Sequence, residues 1–175
     1  EQFDARGISR DDARVFTWLN TPDQDWQGAL ATQVDVSVST LDQLQRVTGA
    51  HRSLAPAGLV PGPARTHLKV DVGMGRGGAA LDELPALADA IRVAEEAGEV
   101  ELVGFWSHLS CADDPDGPGD EATAEQTARY EEGLRIVLSR GLTPQLRHLA
   151  ASAGNIWHEP ARLDMVRPGI ALYGY

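Results

Sequence analysis

Lys69 is the only lysine in the chain. It lies in His67-Leu-Lys-Val-Asp-Val-Gly-Met-Gly-Arg-Gly-Gly78, which begins as an alternating run. Leu68 and Val70 alternate with His67, Lys69 and Asp71, so a strand here places three polar groups on one face. A lone mid-strand lysine suits chemistry better than solubility. Burial lowers the pKa of an amine and frees it to attack a carbonyl carbon. Glycines 73, 75, 77 and 78 bracket Arg76 and allow a sharp turn close to a ligand. Taken alone, this glycine run also fits a plain turn.

Further polar residues fall at the C-terminal ends of expected strands: His108, Ser152 and Arg167. Each has a simpler reading. His108 alone reads best as a hydrogen-bonded core histidine. Ser152 fits a cap for the turn after it, and Arg167 fits a surface pair with Asp164 or Glu159. Arg147 and His148 read as strand-end solvent residues, Arg147 more strongly. What favours function is that all the candidates occupy the same kind of position. Ser152-Ala-Gly-Asn155 and Pro168-Gly-Ile170 sharpen this. Loops after the last strands of a parallel barrel form its usual phosphate site. The Ser152 hydroxyl with the N–H groups of Gly169 and Ile170 would make such a cradle.

Asp113-Asp-Pro-Asp-Gly117 lacks the spacing and closing glutamate of a calcium loop. No cysteine or histidine cluster has zinc spacing, so no metal site is expected. Cys111 is the only cysteine, which rules out an internal disulfide and fits a cytoplasmic setting. A net charge of −11 argues against nucleic acid or an anionic membrane as partner. No apolar run has membrane length.

The positioning elements follow from periodicity. Strands are expected over 15–19, 34–38, 67–72, 100–108, 146–150 and 165–173. Helices are expected over 24–33, from the Thr40-Leu-Asp-Gln43 capping box onward, over 82–98, and from a second box at Thr123-Ala-Glu-Gln126 to Gly141. Residues 1–14 read as helix or loop, and 53–64 and 109–120 as loops. A short turn is expected over 153–158. Strands alternating with helices imply parallel βα units. The fold class is α/β, a TIM-type (βα)8 barrel that is incomplete, with about six of eight units. No linker divides residues 1–175. A doubly wound sheet is the competing fold, but no nucleotide fingerprint follows a first strand.

Four motifs, in order, resemble alanine racemase: His67 to Arg76; Trp106-Ser-His108 with Ala112-Asp-Asp-Pro-Asp116; Arg147-His-Leu-Ala-Ala-Ser152; and Asp164-Met-Val-Arg-Pro-Gly-Ile-Ala-Leu-Tyr-Gly174. The resemblance covers nearly the whole chain but only a middle portion of the family's enzymes. It implies that 1–175 is part of the barrel domain that binds pyridoxal 5'-phosphate. The first strands, with the lysine that holds the cofactor, and the C-terminal domain, with the catalytic tyrosine, would lie elsewhere.

The same resemblance implies that Arg167 faces the pyridine nitrogen. Arginine only donates, so the nitrogen stays unprotonated, which weakens the electron sink and favours direct two-base proton exchange. It implies that Arg76 contacts the phenolic oxygen, that His108 lies against the ring, and that Ser152, Gly169 and Ile170 hold the phosphate. Arg76, His108 and Arg167 would support catalysis. Lys69 would carry a carbamate that relieves its repulsion with Arg76. The chain departs from the family at Ala151, where asparagine is usual.

The implied activity is interconversion of L- and D-alanine, supplying D-alanine for peptidoglycan, by a full-length homodimer. The chain alone would lack both catalytic bases. Alternatives are a racemase of another small amino acid such as serine, a lyase or aldolase forming a Schiff base on Lys69, and a non-catalytic cofactor-binding barrel.

Overall fold

The computed structural model describes residues 12–174; the reading of 1–14 falls mostly outside them. Among the described residues, β1 (Phe16–Thr17), β2 (Asp35–Val38), β3 (Ala64–Lys69), β4 (Val100–Trp106) and β5 (Leu146–His148) form one parallel sheet in sequence order. Each strand pairs with the next, as in about half of a closed barrel. Between them run α1 (Trp26–Ala31), α2 (Leu41–Leu54), α3 (Leu84–Glu96) and α4 (Pro118–Ser139), and α5 (Ser152–Trp157) follows β5.

Helices and strands share one apolar core. Leu84, Leu87, Ala88 and Ile91 of α3, Tyr130, Leu134 and Val137 of α4, and Leu44 and Val47 of α2 are buried, as helical spacing requires. They cover Val36, Val38, Leu68, Val70 and Phe105 from the sheet. Leu41 and Leu138 lie off these faces and are exposed. The sheet's other face carries Asp35, Ser37, His67, Lys69, Trp106 and His148, all buried.

The first capping box forms with its return bond one residue early, on Ser39 and not on the Thr40 cap. The Gln43 N–H donates to Thr40 Oγ1 at 3.1 Å, and Gln43 Oε1 accepts from the Ser39 N–H at 2.8 Å. The second does not. The chain enters α4 earlier, at Pro118, where a missing N–H costs nothing. Asp114 Oδ2 accepts from the Gly119 N–H at 3.1 Å. Thr123 therefore sits within the helix, its buried hydroxyl unpartnered. Helix α2 also extends into the expected 53–64 loop, to Leu54. The expected strand over 165–173 reduces to one bridge, Ala151 to Arg167, and a 3-10 turn at Ile170–Tyr173. Pro168 has no N–H to continue a ladder.

Helix α1 ends in a Schellman arrangement. The Gln33 N–H donates to the Leu30 carbonyl at 3.0 Å, and the Val34 N–H to the Ala29 carbonyl at 2.9 Å. Gln33 takes φ 57° to make it, a left-handed conformation that disfavours a side chain. Gln33→Gly is expected to raise stability by about 0.5–1 kcal/mol in urea unfolding. A lower midpoint would show that the glutamine side chain contributes more than its strain costs.

Candidate functional site

The inward face of the sheet carries a connected row of polar groups. Arg167 Nη1 donates to His148 Nδ1 at 2.6 Å, and His148 Nε2 lies 2.9 Å from His67 Nδ1. His67 Nε2 lies 3.6 Å from Asp35 Oδ2. Arg65 Nε then reaches both Asp35 oxygens, at 3.1 and 3.2 Å. Guanidinium can only donate, which fixes the tautomers in turn. His148 Nδ1 accepts, so its proton is on Nε2 and goes to His67 Nδ1. The His67 proton is then on Nε2, toward Asp35. Burial and then the Arg167 charge push the His148 pKa down to about 2, so the ring is neutral at pH 7.

Aromatic rings pack this row. Phe16 stacks on His67 at 4.2 Å and Trp106 on His148 at 5.5 Å. Trp106 also lies under two cations, Lys69 Nζ at 4.8 Å and Arg167 Cζ at 4.9 Å from its centroid. Its Nε1 donates to Ser37 Oγ at 3.0 Å.

Arg167 is the hub. Its Nη2 donates to the carbonyls of Ser107 at 2.6 Å and Leu149 at 3.0 Å. Burial lowers its pKa to about 10, which leaves it charged at pH 7. Its Nε is buried with no partner among the described residues. Asp164, the surface partner the sequence offered for Arg167, instead forks with Arg147 at 2.8 and 3.1 Å.

Lys69, Arg76 and His108 gather beside this hub. Lys69 is buried, and its pKa is lowered first by burial and then by the Arg76 charge. Arg76 is exposed, on the glycine-rich loop that Asp71 closes by accepting from the N–H groups of Gly73 and Gly75. His108 is half-buried and its side chain forms no hydrogen bond among the described residues, unlike a structural core histidine. Burial, then Arg167, Arg76 and Lys69, lower its pKa to about 4. His108 lines two neighbouring clefts, one of about 270 Å³ with Arg76, Trp106 and Trp18, and one of about 420 Å³ with Ser152, Arg167, Gly169 and Ile170.

Ser152 does not cap α5, since Ala151 occupies the N-cap position. Its Oγ instead accepts from the N–H of Gly169 at 2.8 Å and of Ala171 at 3.2 Å. The hydroxyl and both strand-end loops are thus assembled, with the Gly169 N–H turned onto Ser152.

The structure therefore brings together every residue singled out in the sequence: Lys69, Arg76, His108, Ser152, Arg167, Gly169 and Ile170. Two were missed. His148, read as a solvent residue, is fully buried. Strand alternation would have found it, because Arg147 faces out and its neighbour must face in. Trp18 borders both clefts and stacks on Trp106 at 6.2 Å. It lies just past β1, whose two residues are too few to show which way the next side chain turns.

Five parallel strands in sequence order among the described residues, with helices on one face, define an incomplete β/α barrel, and the candidate site lies at the C-terminal strand ends, where such barrels bind ligands. A match to the family Alanine racemase, N-terminal domain, covers residues 2–175. The alanine racemase of Beutenbergia cavernae is 45% identical over 163 residues, which are 93% of this chain and 41% of that protein. That of Streptomyces coelicolor is 42% identical, over 94% of this chain and 40% of that protein. The solved S. coelicolor alanine racemase superposes with a TM-score of 0.87 at 40% identity, over 98% of this chain and 43% of that one. The chain belongs to the alanine racemase family, and it spans about two fifths of the length of these relatives.

Proposed function

We propose that this chain is the cofactor-binding barrel portion of a pyridoxal-phosphate-dependent racemase that interconverts L- and D-alanine, supplying D-alanine for peptidoglycan. The observation that carries the reading is Arg167: a part-buried guanidinium, fixed by three acceptors, whose buried Nε has no partner among the described residues. An orphaned buried donor is costly unless a ligand supplies the acceptor. A pyridine nitrogen is an acceptor of the right kind, so the residues fit the cofactor.

In this reading the Ser152 hydroxyl and the N–H groups of Gly169 and Ile170 hold the phosphate, the Gly169 N–H exchanging Ser152 Oγ for a phosphate oxygen. Arg167 donates to the ring nitrogen and keeps its own proton. Neutral His108 lies against the ring, and Arg76 serves the phenolic oxygen. Bound pyridoxal phosphate supplies the electron sink that stabilises negative charge at the α-carbon of the amino acid. Because Arg167 keeps its proton, that sink is restrained, which suits proton exchange between two bases on opposite faces of the substrate.

The resemblance to full-length relatives assigns those bases, a lysine and a tyrosine, to segments other than this one. A homodimer in the cytoplasm is the assembly it suggests. Lys69 carries a carbamate in this reading. Burial and the neighbouring arginines already favour the neutral amine that takes up CO2, releasing a proton.

The test is a cofactor titration followed by borohydride reduction and peptide mapping. Pyridoxal phosphate is expected to bind reversibly, Ser152→Ala to weaken it about tenfold, and no peptide to be labelled. Racemase turnover by this chain alone would contradict the assignment of the bases. Label on Lys69, the buried amine with the lowered pKa, would favour the Schiff-base lyase reading.

A further inference from the structure

The two walls of the larger cleft come from different parts of the fold. One is the loop after β4, with His108, Ser110 and Asp113; the other is α5 with residues 167–170. At the start of the loop, Arg167 bridges the walls through the Ser107 carbonyl at 2.6 Å. Farther along, Gln126 ties the loop to α4, its Nε2 donating to Ser110 Oγ at 2.6 Å and its Oε1 accepting from the Ser110 N–H at 3.0 Å. One side chain crosses from α5 itself. His158, at the C-cap of α5, places Nε2 3.2 Å from the Ala112 carbonyl oxygen. A carbonyl only accepts, so the His158 proton is on Nε2. Its side chain is 10% exposed, and Nδ1 faces Asp120 of α4 at 3.7 Å.

We infer that His158 is a positioning residue that sets the separation of the two cleft walls. It joins the C-cap of α5 to the β4 loop, while Ser152 at the other end of the same six-residue helix holds the loop at 169–171. Leu109 is already in close contact along that helix, where a Cβ on Gly154 would come within 3.2 Å of Leu109 Cδ1. The hydrogen bond to Ala112 thus fixes the farther part of the loop. The inference rests on the reading that this cleft receives the cofactor.

The reach of the bond supplies the test. A glutamine amide substitutes for Nε2, whereas asparagine is too short. His158→Ala and His158→Asn are expected to raise the dissociation constant for pyridoxal phosphate about tenfold, and His158→Gln to stay within about twofold of the parent. Amide hydrogen exchange at 109–113 is expected to speed up in the first two variants and not in the third, with urea midpoints similar throughout. Equal affinities in all variants would overturn the inference. So would affinity losses that follow the urea midpoint, or failure of glutamine to restore the bond. If the parent binds no pyridoxal phosphate, the cofactor reading fails by itself. Hydrogen exchange then decides the clamp, and unchanged rates at 109–113 would overturn it.

Discussion

Gly104→Ala is expected to lower stability by about 3 kcal/mol and to weaken cofactor binding, although it adds only a methyl group. The new carbon would lie 2.0 Å from His67 Nδ1 and 2.7 Å from two further ring atoms. His67 is 2% exposed, stacked on Phe16 and bonded to His148, so it has no room to swing away. Overpacking a tight site costs about 1–3 kcal/mol, and stranding the His148 N–H costs a similar amount. Urea unfolding measures the loss. The added change His67→Ala removes the clash, so the double variant should be more stable than additivity predicts. Additive losses would show that the ring is not what position 104 accommodates.

The second large effect is expected at Arg167. Arg167→Lys keeps the charge but loses the planar fork that serves His148, Ser107 and Leu149 together. Affinity for pyridoxal phosphate should fall by about a hundredfold, and stability by about 2 kcal/mol, because buried acceptors lose their donors. Arg167→Met should bind no more tightly, since its side chain donates nothing. A lysine variant within a few-fold of the parent would show that charge alone suffices and would remove the main support for the cofactor reading. Cofactor titration and urea unfolding on the same preparations read both effects.

The sequence made the scaffold legible wherever one face is buried. The spacing of Leu84, Leu87, Ala88 and Ile91, and the alternation around Lys69, each point to one core face, and both are found there. Helix starts were less secure. Thr123 looks like a cap, but a cap needs non-helical backbone before it. Pro118 and Asp114, five residues and more upstream, start α4 first. For the candidate site, Lys69, His108, Ser152 and Arg167, expected at strand ends, lie together in the structure. It did not show which residue faces which. Arg147 and Arg167 compete for the same nearby carboxylate, and strand direction decides it: Arg147 takes Asp164, and Arg167 turns inward. Pairings that join different strands, such as His148 with His67 across 81 positions, have no local signature.

That inward row has a sense of direction. Its protons point one way, from Arg167 through both histidines toward Asp35, and it cannot be reversed, because a guanidinium has no lone pair to offer. The row is thus an ordered chain of donors that runs from the Arg167 guanidinium to the Asp35 carboxylate, which Arg65 holds in turn. Asp35 and Arg65, at the N-terminal ends of β2 and β3, are thereby joined to the cleft through side-chain contacts. Removing the Asp35 carboxylate would take the acceptor from Arg65 Nε and leave the His67 N–H facing none, so the order of the whole row would lose its anchor.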